Sequence, residues 1–180
     1  SIKYVKTTDG GQTWSSAVKV HTEEPATDVA FGYSCWYDQW TPGYVGTKIH
    51  ISWVLSGGGS YSGVLNYRSL DTNGDVLGAQ TVIASALYTG MLAYHYTSGI
   101  VRARGGNLYA LPLHPLATTY LYRSVDNGVT WTVRSSPGGI GAYAYLFLTP
   151  GNEVDSQDIY VVWAIGGSLV LRWYDNSANT

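Results

Sequence analysis

Two distant stretches of this chain share an eight-residue pattern that ends in tryptophan. Each reads Ser or Thr, any residue, Asp, any residue, Gly, any residue, Thr and Trp. The shared residues are Thr7, Asp9, Gly11, Thr13 and Trp14 in the first stretch, and Ser124, Asp126, Gly128, Thr130 and Trp131 in the second. A pattern this specific does not recur by chance within 180 residues, so it indicates a structural repeat.

The pattern predicts a structured hairpin turn. An Asp carboxylate accepts hydrogen bonds from backbone N–H groups of a turn, and Gly adopts positive φ at no steric cost. The Thr then begins the returning strand. We expect the Trp ring to fold under the turn as a buried apolar plug, so replacing Trp14 or Trp131 with Ala should be costly.

Weaker copies extend the repeat. Ser69, Asp71 and Gly74 keep three of the shared residues with one insertion, and Trp173 to Asn176 opens a fourth copy. The aspartates at 9, 71, 126 and 175 are separated by 62, 55 and 49 residues. Periods of this size are typical of four-stranded propeller blades.

The composition favours an all-β chain. There are 22 Gly, 16 Tyr and 7 Trp, which suits short strands joined by glycine-bearing turns. No window has sustained helical periodicity, so we expect essentially no helix. The net charge of −2 gives no electrostatic basis for binding nucleic acid.

Other classes of function are also disfavoured. The charge-free stretch at 135–152 is broken by glycines and prolines and does not predict a membrane span. Cys35 is the only cysteine, so no internal disulfide can form. His21, His95 and His114 are too scattered to predict a metal site, and we expect no cofactor.

The repeat resembles the Asp-box, or bacterial neuraminidase repeat, of sialidase-like β-propellers. The resemblance implies an all-β, antiparallel, incomplete β-propeller of four-stranded blades whose Asp-boxes are structural. The predicted blades are the end of one blade at 1–20, complete blades at 21–85 and 86–135, and an incomplete blade at 136–180. These contain thirteen predicted strands.

Two complete blades cannot close a ring, because propellers need about four or more. We therefore expect further blades of the same polypeptide, or other subunits, to cover the blade faces at the two ends. Large residues expected to be uncovered there are Tyr4, Trp14, Tyr145, Phe147, Trp163 and Trp173.

In the resembled family, binding uses the face opposite the Asp-boxes. Its predicted loops contain aromatic residues and histidines that suit stacking on sugars and hydrogen bonding to them. The candidate ligand-binding residues are Tyr61, Tyr88, Tyr94, His95, Tyr96 and His114. Packing between blades is the alternative role for the cluster at 88–96.

A second aromatic patch falls in an enlarged loop on the Asp-box face. Its candidate partner-contact residues are Trp36, Tyr37, Trp40 and Tyr44. Exposed aromatic residues in a long loop indicate a contact surface. A partner subunit or adjacent domain is the favoured occupant, and self-packing of the loop or a sugar site are the alternatives.

A sialidase-like active site needs three arginines on a carboxylate, a Tyr activated by Glu, and an Asp acid/base. Arg68, Arg123 and Arg172 precede the turns at equivalent positions, which favours a structural role. Arg102 and Arg104 lie in a stretch similar to an inner hairpin of the family, but its Phe-Arg-Ile-Pro signature is absent. Glu23, Glu24 and Asp28 are carboxylate candidates that solvation explains equally well.

These observations predict no catalytic residue in the chain. We expect a non-catalytic recognition or structural module of an extracellular or virion surface protein, which presents aromatic loops to glycan or protein partners. The alternative is a fragment of a sialidase or related glycoside hydrolase, with the catalytic arginines largely outside the chain.

Overall fold

The computed structural model describes residues 1–21, 29–56, 63–87, 98–112, 119–138, 146–165 and 167–176. Within these ranges the chain forms fourteen β-strands, and every strand pairing is antiparallel. The one helical segment among them is a single 3-10 turn at Asp38–Trp40. The all-β prediction is confirmed.

The strands form four sheets in chain order. Sheet 1 has two strands, β1 (Ile2–Tyr4) and β2 (Val18–His21). Sheet 2 has the strands β3 (Val29–Tyr37), β4 (Lys48–Ser56), β5 (Gly63–Asp71), β6 (Val76–Leu77) and β7 (Thr81–Leu87). Both β6 and β7 pair with β5, so the expected fourth strand is present in two pieces. This split accounts for fourteen strands where thirteen were predicted.

The next two sheets repeat the same up-and-down order. Sheet 3 contains β8 (Ser98–Arg102), β9 (Leu108–Pro112), β10 (Tyr122–Ser124) and β11 (Thr132–Val133). Sheet 4 contains β12 (Leu146–Pro150), β13 (Ile159–Ile165) and β14 (Ser168–Tyr174). The first strands of sheets 2, 3 and 4 lie at sheet edges, so β3, β8 and β12 form one end of each sheet.

The sheets pack face to face, with one apolar core in each junction. Core 1 joins sheets 1 and 2 and contains Val20, Trp53 and Leu70. Core 2 joins sheets 2 and 3 and includes Leu65 and Tyr67 from β5. Core 3 joins sheets 3 and 4 and consists of Val101, Ala103, Tyr109, Leu111, Leu121, Leu148, Ile159, Val161, Trp163 and Tyr174. Each inner sheet therefore buries both of its faces.

The two tryptophan-ended turns, which we call the first and second Asp turns (7–14 and 124–131), have the same hydrogen bonds. In the second turn the Thr130 hydroxyl donates to Asp126 Oδ2 at 2.5 Å, and the Thr130 amide donates to Oδ1 at 2.9 Å. The Ser124 hydroxyl donates to Asp126 Oδ1 and accepts from the Gly128 amide. Asp9 has the same donors in Thr13 and Thr7.

Backbone conformation and charge both fit this design. Gly10 and Gly11 in the first turn, and Asn127 and Gly128 in the second, have positive φ. The hydroxyl of Thr130, its amide and the Ser124 hydroxyl lower the pKa of Asp126 to about 2. Since these donors favour the ionised carboxylate, the turns are locked by charge-assisted hydrogen bonds.

The turns occupy residues that were predicted to be strand. The Thr of each turn was expected to begin the returning strand, but β2 covers Val18–His21 and β11 covers Thr132–Val133. Thr13 and Thr130 instead donate to the carboxylates of Asp9 and Asp126. The weaker copy at 69–74 forms a different turn, in which Asp71 accepts from the Asn73 amide and the Thr47 hydroxyl.

The tryptophans of the two turns differ in burial. Trp131 is half-buried, donates to the Gly128 carbonyl, and lies edge-on to Tyr67 of the preceding sheet at 5.3 Å between centroids. Trp14 is 62% exposed, so the expectation that both rings are buried is wrong for Trp14. The reason is that sheet 1 has no preceding sheet among the described residues.

The expectation about which large residues are uncovered at the two ends is only partly correct. Trp14, Phe147 and Trp173 are exposed. Trp163 is 3% exposed, so that expectation is wrong, because its side of β13 faces core 3. Tyr4 is partly buried on core 1, and Tyr145 lies outside the described residues.

The two tryptophans give a matched test of sheet stacking. We expect Trp131→Ala to lower the free energy of unfolding by roughly 3 kcal/mol, near the lower end for truncating a large aromatic side chain. Trp14→Ala should change it by about 0.5 kcal/mol or less, as is usual for an exposed position. Urea unfolding of both variants measures the difference, and equal losses would contradict the stacking order.

Candidate functional site

The predicted ligand-binding residues all lie outside the described residues. They are Tyr61, Tyr88, Tyr94, His95, Tyr96 and His114. The carboxylate candidates Glu23, Glu24 and Asp28 lie outside them too. These assignments stay predictions, and the described candidate site is the aromatic loop that connects β3 to β4.

The aromatic loop consists of residues 36–47. Trp36 and Tyr37 at the end of β3 each make an edge contact with Trp40, with centroids 5.8 and 6.4 Å apart. Trp40 is 56% exposed and Val45 is 88% exposed, whereas the other three aromatic residues are partly buried. Of the predicted partner-contact residues, Trp40 therefore contributes most to the exposed surface.

The base of the aromatic loop is bonded to the next sheet. The buried Thr41 hydroxyl donates to the Arg102 carbonyl at 2.8 Å and accepts from the Trp36 indole at 2.9 Å. Tyr44 lies over the Arg102 guanidinium, 4.6 Å from its ring centroid to Cζ. Arg104 donates to the Pro42 carbonyl. Exposed side chains at the tip thus stand on a fixed base.

An ionic cluster of Asp38, His50, Tyr67 and Arg102 is buried beneath this loop. Each of its side chains belongs to a residue that is at most 2% exposed. Arg102 Nε donates to Asp38 Oδ1 at 2.6 Å, and His50 Nε2 lies 2.8 Å from the same oxygen. The Lys48 amide donates to Asp38 Oδ2. The carboxylate therefore joins the loop, sheet 2 and sheet 3.

The cluster continues to the second Asp turn. The Tyr67 hydroxyl lies 2.8 Å from His50 Nδ1 and 3.2 Å from the Asn127 carbonyl, so both are within reach of its single proton. Arg102 also donates to the Asn127 side chain at 3.1 Å and to the Gly106 carbonyl. A Cβ at Gly128 would collide with the Tyr67 ring, so only glycine lets the turn sit this close.

Burial and neighbouring charge determine the protonation states in the cluster. Burial lowers the pKa of His50 and outweighs its hydrogen bond with Asp38, so the ring is neutral at neutral pH. Burial acts to raise the pKa of Asp38, but the His50 hydrogen bond and the Arg102 charge hold it below its ordinary value. The cluster therefore contains one carboxylate and one guanidinium, which compensate each other.

The Tyr67 hydroxyl of this cluster is not placed to act as a nucleophile. A tyrosine nucleophile must lose its proton easily, whereas burial raises the pKa of Tyr67 well above its ordinary value. The hydroxyl is also bonded within the protein and shielded from solvent. The cluster anchors the aromatic loop and the second Asp turn to two sheets.

Five of the six arginines bond to protein groups. Besides Arg102, these are Arg68 with the Gly78 and Val20 carbonyls, Arg104 with the Pro42 and Asn152 carbonyls, Arg123 with the Asn176 side chain, and Arg134 with the Tyr174 hydroxyl. Arg172 lies over the Trp163 ring at 6.0 Å. These contacts lie on different sheets and do not converge on one pocket.

An aromatic groove lies beside the loop, along the edge strands β3, β8 and β12. Its lining is apolar apart from Ser34 and includes Trp36, Trp40, Ile100, Leu146 and Phe147. Cys35 also lines it, and burial raises the pKa of that thiol. With no charged residue in its lining, the groove suits an uncharged or aromatic group.

The described residues contain no group of three or more His, Cys, Asp and Glu side chains placed to hold a metal ion. Nor does any helix in these ranges have the length and apolar character needed to cross a bilayer.

Sequence reasoning missed the ionic cluster. Asp38 was grouped with an exposed loop, and Arg102 was considered only as a carboxylate-binding residue. A signal was present in β4, where His50 and Ser52 interrupt an apolar run from Ile49 to Leu55. Polar residues inside an otherwise apolar strand indicate that their side chains have buried hydrogen-bond partners.

Comparison with known proteins supports the fold. No family model matches the chain, and no curated protein matches it. Among solved structures it is similar to the Hadza microbial sialidase Hz136, with a TM-score of 0.66 and 14% identity. The match covers 98% of this chain but 38% of the sialidase. At this identity the likeness establishes a sialidase-like all-β fold.

The ion pair gives a first prediction for this site. Arg102→Met should lower the free energy of unfolding by about 3–5 kcal/mol, because it leaves the Asp38 carboxylate buried without its counter-charge. Asp38→Asn with Arg102→Met should cost less than the sum of the single changes. Urea unfolding measures these values. Arg172→Gln, at an exposed arginine, serves as the control, and additive losses would contradict the coupling.

The neutral His50 ring predicts a pH dependence. The folded-state pKa is depressed, so the stability from burying the neutral ring is fully present above the unfolded value of about 6.5. It is lost as the pH falls from there through the folded pKa. His50→Gln should flatten the decline in stability between about pH 6.5 and 5 while leaving the carboxylate-dependent loss below about pH 4. An unchanged slope in the upper range would contradict this.

Proposed function

We propose that this chain is a non-catalytic recognition or structural module of an extracellular or virion surface protein. Its fold is proposed to be an incomplete β-propeller, with blades at 1–20, 21–85, 86–135 and 136–180, in which the Asp turns are Asp-boxes. The module would present its aromatic loops to glycan or protein partners. It is a sialidase-related module by fold alone.

Three observations support the propeller. The four sheets stack in chain order with one core in each junction. Sheets 2, 3 and 4 have up-and-down strand order, and their first strands lie side by side. The likeness to a sialidase extends over 98% of the chain. A radial arrangement of such sheets is a propeller.

The functional proposal rests on the hydrogen-bond partners of the arginines. Gripping a carboxylate takes guanidinium groups that converge on one site with free donors. Here Arg102 donates to Asp38 within the ionic cluster, and Arg68 and Arg104 donate to backbone carbonyls. Those arginines therefore hold sheets and loops together, which leaves them unable to bind a substrate carboxylate.

The aromatic loop is the proposed contact surface for a protein partner. Trp40 offers a large amphipathic side chain on a base fixed by Thr41 and Asp38. A rigid aromatic anchor loses little conformational entropy on binding, which is why such residues dominate interfaces. Glycans are proposed to bind the opposite loops, which contain Tyr88 and His95.

A sialidase fragment is the second candidate, favoured by the likeness to Hz136. The chain spans 38% of that protein's length, so the catalytic arginines would lie in further blades. The two candidates differ in whether a longer polypeptide that contains this chain turns over a sialoside.

A hydrolysis assay and a binding assay separate the candidates. We expect the full-length protein to release no 4-methylumbelliferone from its sialoside above the buffer rate. Turnover that is lost on replacing a charged residue of the opposite face, such as Glu23→Gln, would overturn the proposal.

The binding assay uses a panel of immobilised neutral and sialylated oligosaccharides. The chain should bind some of them without hydrolysis, and a Tyr94→Ala variant should bind at least tenfold more weakly. Tyr120→Ala, at a 45% exposed tyrosine, is the matched control and should bind normally. Tyr94→Ala binding as tightly as the unmodified chain would remove the proposed glycan role of that segment.

A further inference from the structure

The polar contacts of the buried His50 ring depend on its protonation state. Nε2 lies 2.8 Å from Asp38 Oδ1 and 2.9 Å from Arg102 Nη2, while Nδ1 lies 2.8 Å from the Tyr67 hydroxyl. A guanidinium has only donors, whereas a neutral imidazole has one donor and one acceptor. The number and position of the ring protons therefore decide which of these contacts are hydrogen bonds.

The neutral ring has two arrangements that fit its neighbours. With the proton on Nδ1, Nε2 accepts from Arg102, and the Tyr67 hydroxyl can donate to the Asn127 carbonyl. With the proton on Nε2, the ring donates to Asp38, and Nδ1 accepts the Tyr67 proton. One ring nitrogen is an acceptor in both arrangements, so either Arg102 or Tyr67 donates to the ring.

A second proton on the ring removes that acceptor. Both nitrogens then donate, so the ring and Arg102 Nη2 face each other as two cationic donors 2.9 Å apart, and the Asp38 carboxylate can balance only one of them. The Tyr67 hydroxyl then accepts from Nδ1 and turns its proton to the Asn127 carbonyl. Protonation therefore weakens the contact with sheet 3 and strengthens the contact with the second Asp turn.

The groups around His50 resist its protonation while the cluster is closed. Asp38 faces the ring from the 3-10 turn, Arg102 from β8 and Tyr67 from β5, and Lys48 lies on the same strand as His50. Burial lowers the pKa of the ring, and the Arg102 and Lys48 charges add to this against the opposing effect of Asp38. Acid therefore favours any opening that returns His50 to water.

The aromatic loop is the segment whose opening returns His50 to water, because the loop covers the cluster and is anchored to it. Asp38 begins the 3-10 turn of the loop and accepts from the Lys48 amide. Thr41 donates to the Arg102 carbonyl, and Tyr44 lies over the Arg102 guanidinium. A displaced Arg102 therefore disturbs several anchors of the loop together.

The second Asp turn depends on its own carboxylate instead. Hydrogen bonds from Thr130 and Ser124 lower the pKa of Asp126 to about 2, so this carboxylate stays ionised in mild acid. The Gly128 and Thr130 amides keep their side-chain acceptors there. Mild acid therefore acts on the loop and spares the turn.

We propose that the ionic cluster is an acid-sensitive switch, in which protonation of His50 releases the aromatic loop from sheet 3 while the second Asp turn stays attached. This inference concerns regulation of the contact surface in the proposed function and rests on that function only for its biological use. A released loop has more conformational freedom to lose on contact with a partner, so mild acid disfavours binding through Trp40.

Amide hydrogen exchange of the chain from about pH 7.5 to about pH 5 tests the switch. The amides of Thr41, Tyr44 and Lys48 report on the loop, since each donates to a group within it. Their opening constant, corrected for the intrinsic exchange rate, should rise about tenfold per pH unit below about pH 6.5 until the folded pKa of His50 is reached. The amides of Gly128 and Thr130 should keep their protection over the same range.

Variants assign the acid response to the ring. His50→Gln keeps a donor and an acceptor but cannot gain a charge, so its loop amides should lose the acid response. His21→Gln, at a histidine beside Trp53, is the matched control and should keep it. Tyr67→Phe removes the hydroxyl that reaches Asn127, so it should lower the protection of the second Asp turn more at about pH 5 than at neutral pH.

Three results would overturn the proposal. The first is a loop opening constant that does not change with pH, and the second is an equal acid response in His50→Gln. The third is a parallel rise in the loop, the second Asp turn and β9, which indicates general unfolding. If His50→Gln does not fold, the comparison of the loop with the turn in the unmodified chain still decides. These measurements contain no partner, so the contact role of Trp40 and the switch can each fail separately.

Discussion

Each inner sheet of this chain has two apolar faces, and neither can be left in water. The sequence is 45% hydrophobic and only 12% charged, too little charge to solvate one face of every sheet. Stacking the sheets in chain order buries these faces, because each sheet covers one apolar face of the sheet before it. Burying a large side chain such as Leu65 or Tyr109 contributes roughly 1.5–3 kcal/mol. Each junction contains several buried side chains of this kind, which together stabilise the stack.

Apolar stacking does not by itself set how one sheet is rotated on the next. Apolar contacts are non-directional, whereas the Asp38–Arg102 pair and the Tyr67–Asn127 hydrogen bond have defined lengths and directions. They cross the junction of sheets 2 and 3 at the point where the aromatic loop begins. Burying these groups is costly unless every partner is present, so the cluster disfavours other registers of the two sheets.

The repeat made the turns and the sheet order predictable from sequence. The turns at Asp9 and Asp126 could be predicted because they are held by local hydrogen bonds, which depend on a few neighbouring residues. The different burial of Trp14 and Trp131 was not predictable in this way, because it depends on which sheet lies in front of each turn. The Asp38, His50 and Arg102 cluster escaped for the same reason: its members are up to 64 residues apart and become a unit only when two sheets meet.

The ionic cluster also determines what its own side chains are free to do. The cluster brings an arginine and a tyrosine close to a carboxylate. Their placement decides the outcome: Tyr67 is buried with a raised pKa, and Arg102 is neutralised by Asp38. Side chains committed to holding a loop cannot also change partners during a reaction. The same hydrogen bonds fix the base of the aromatic loop, which lowers the conformational entropy that the exposed Trp40 would lose on contact with another molecule.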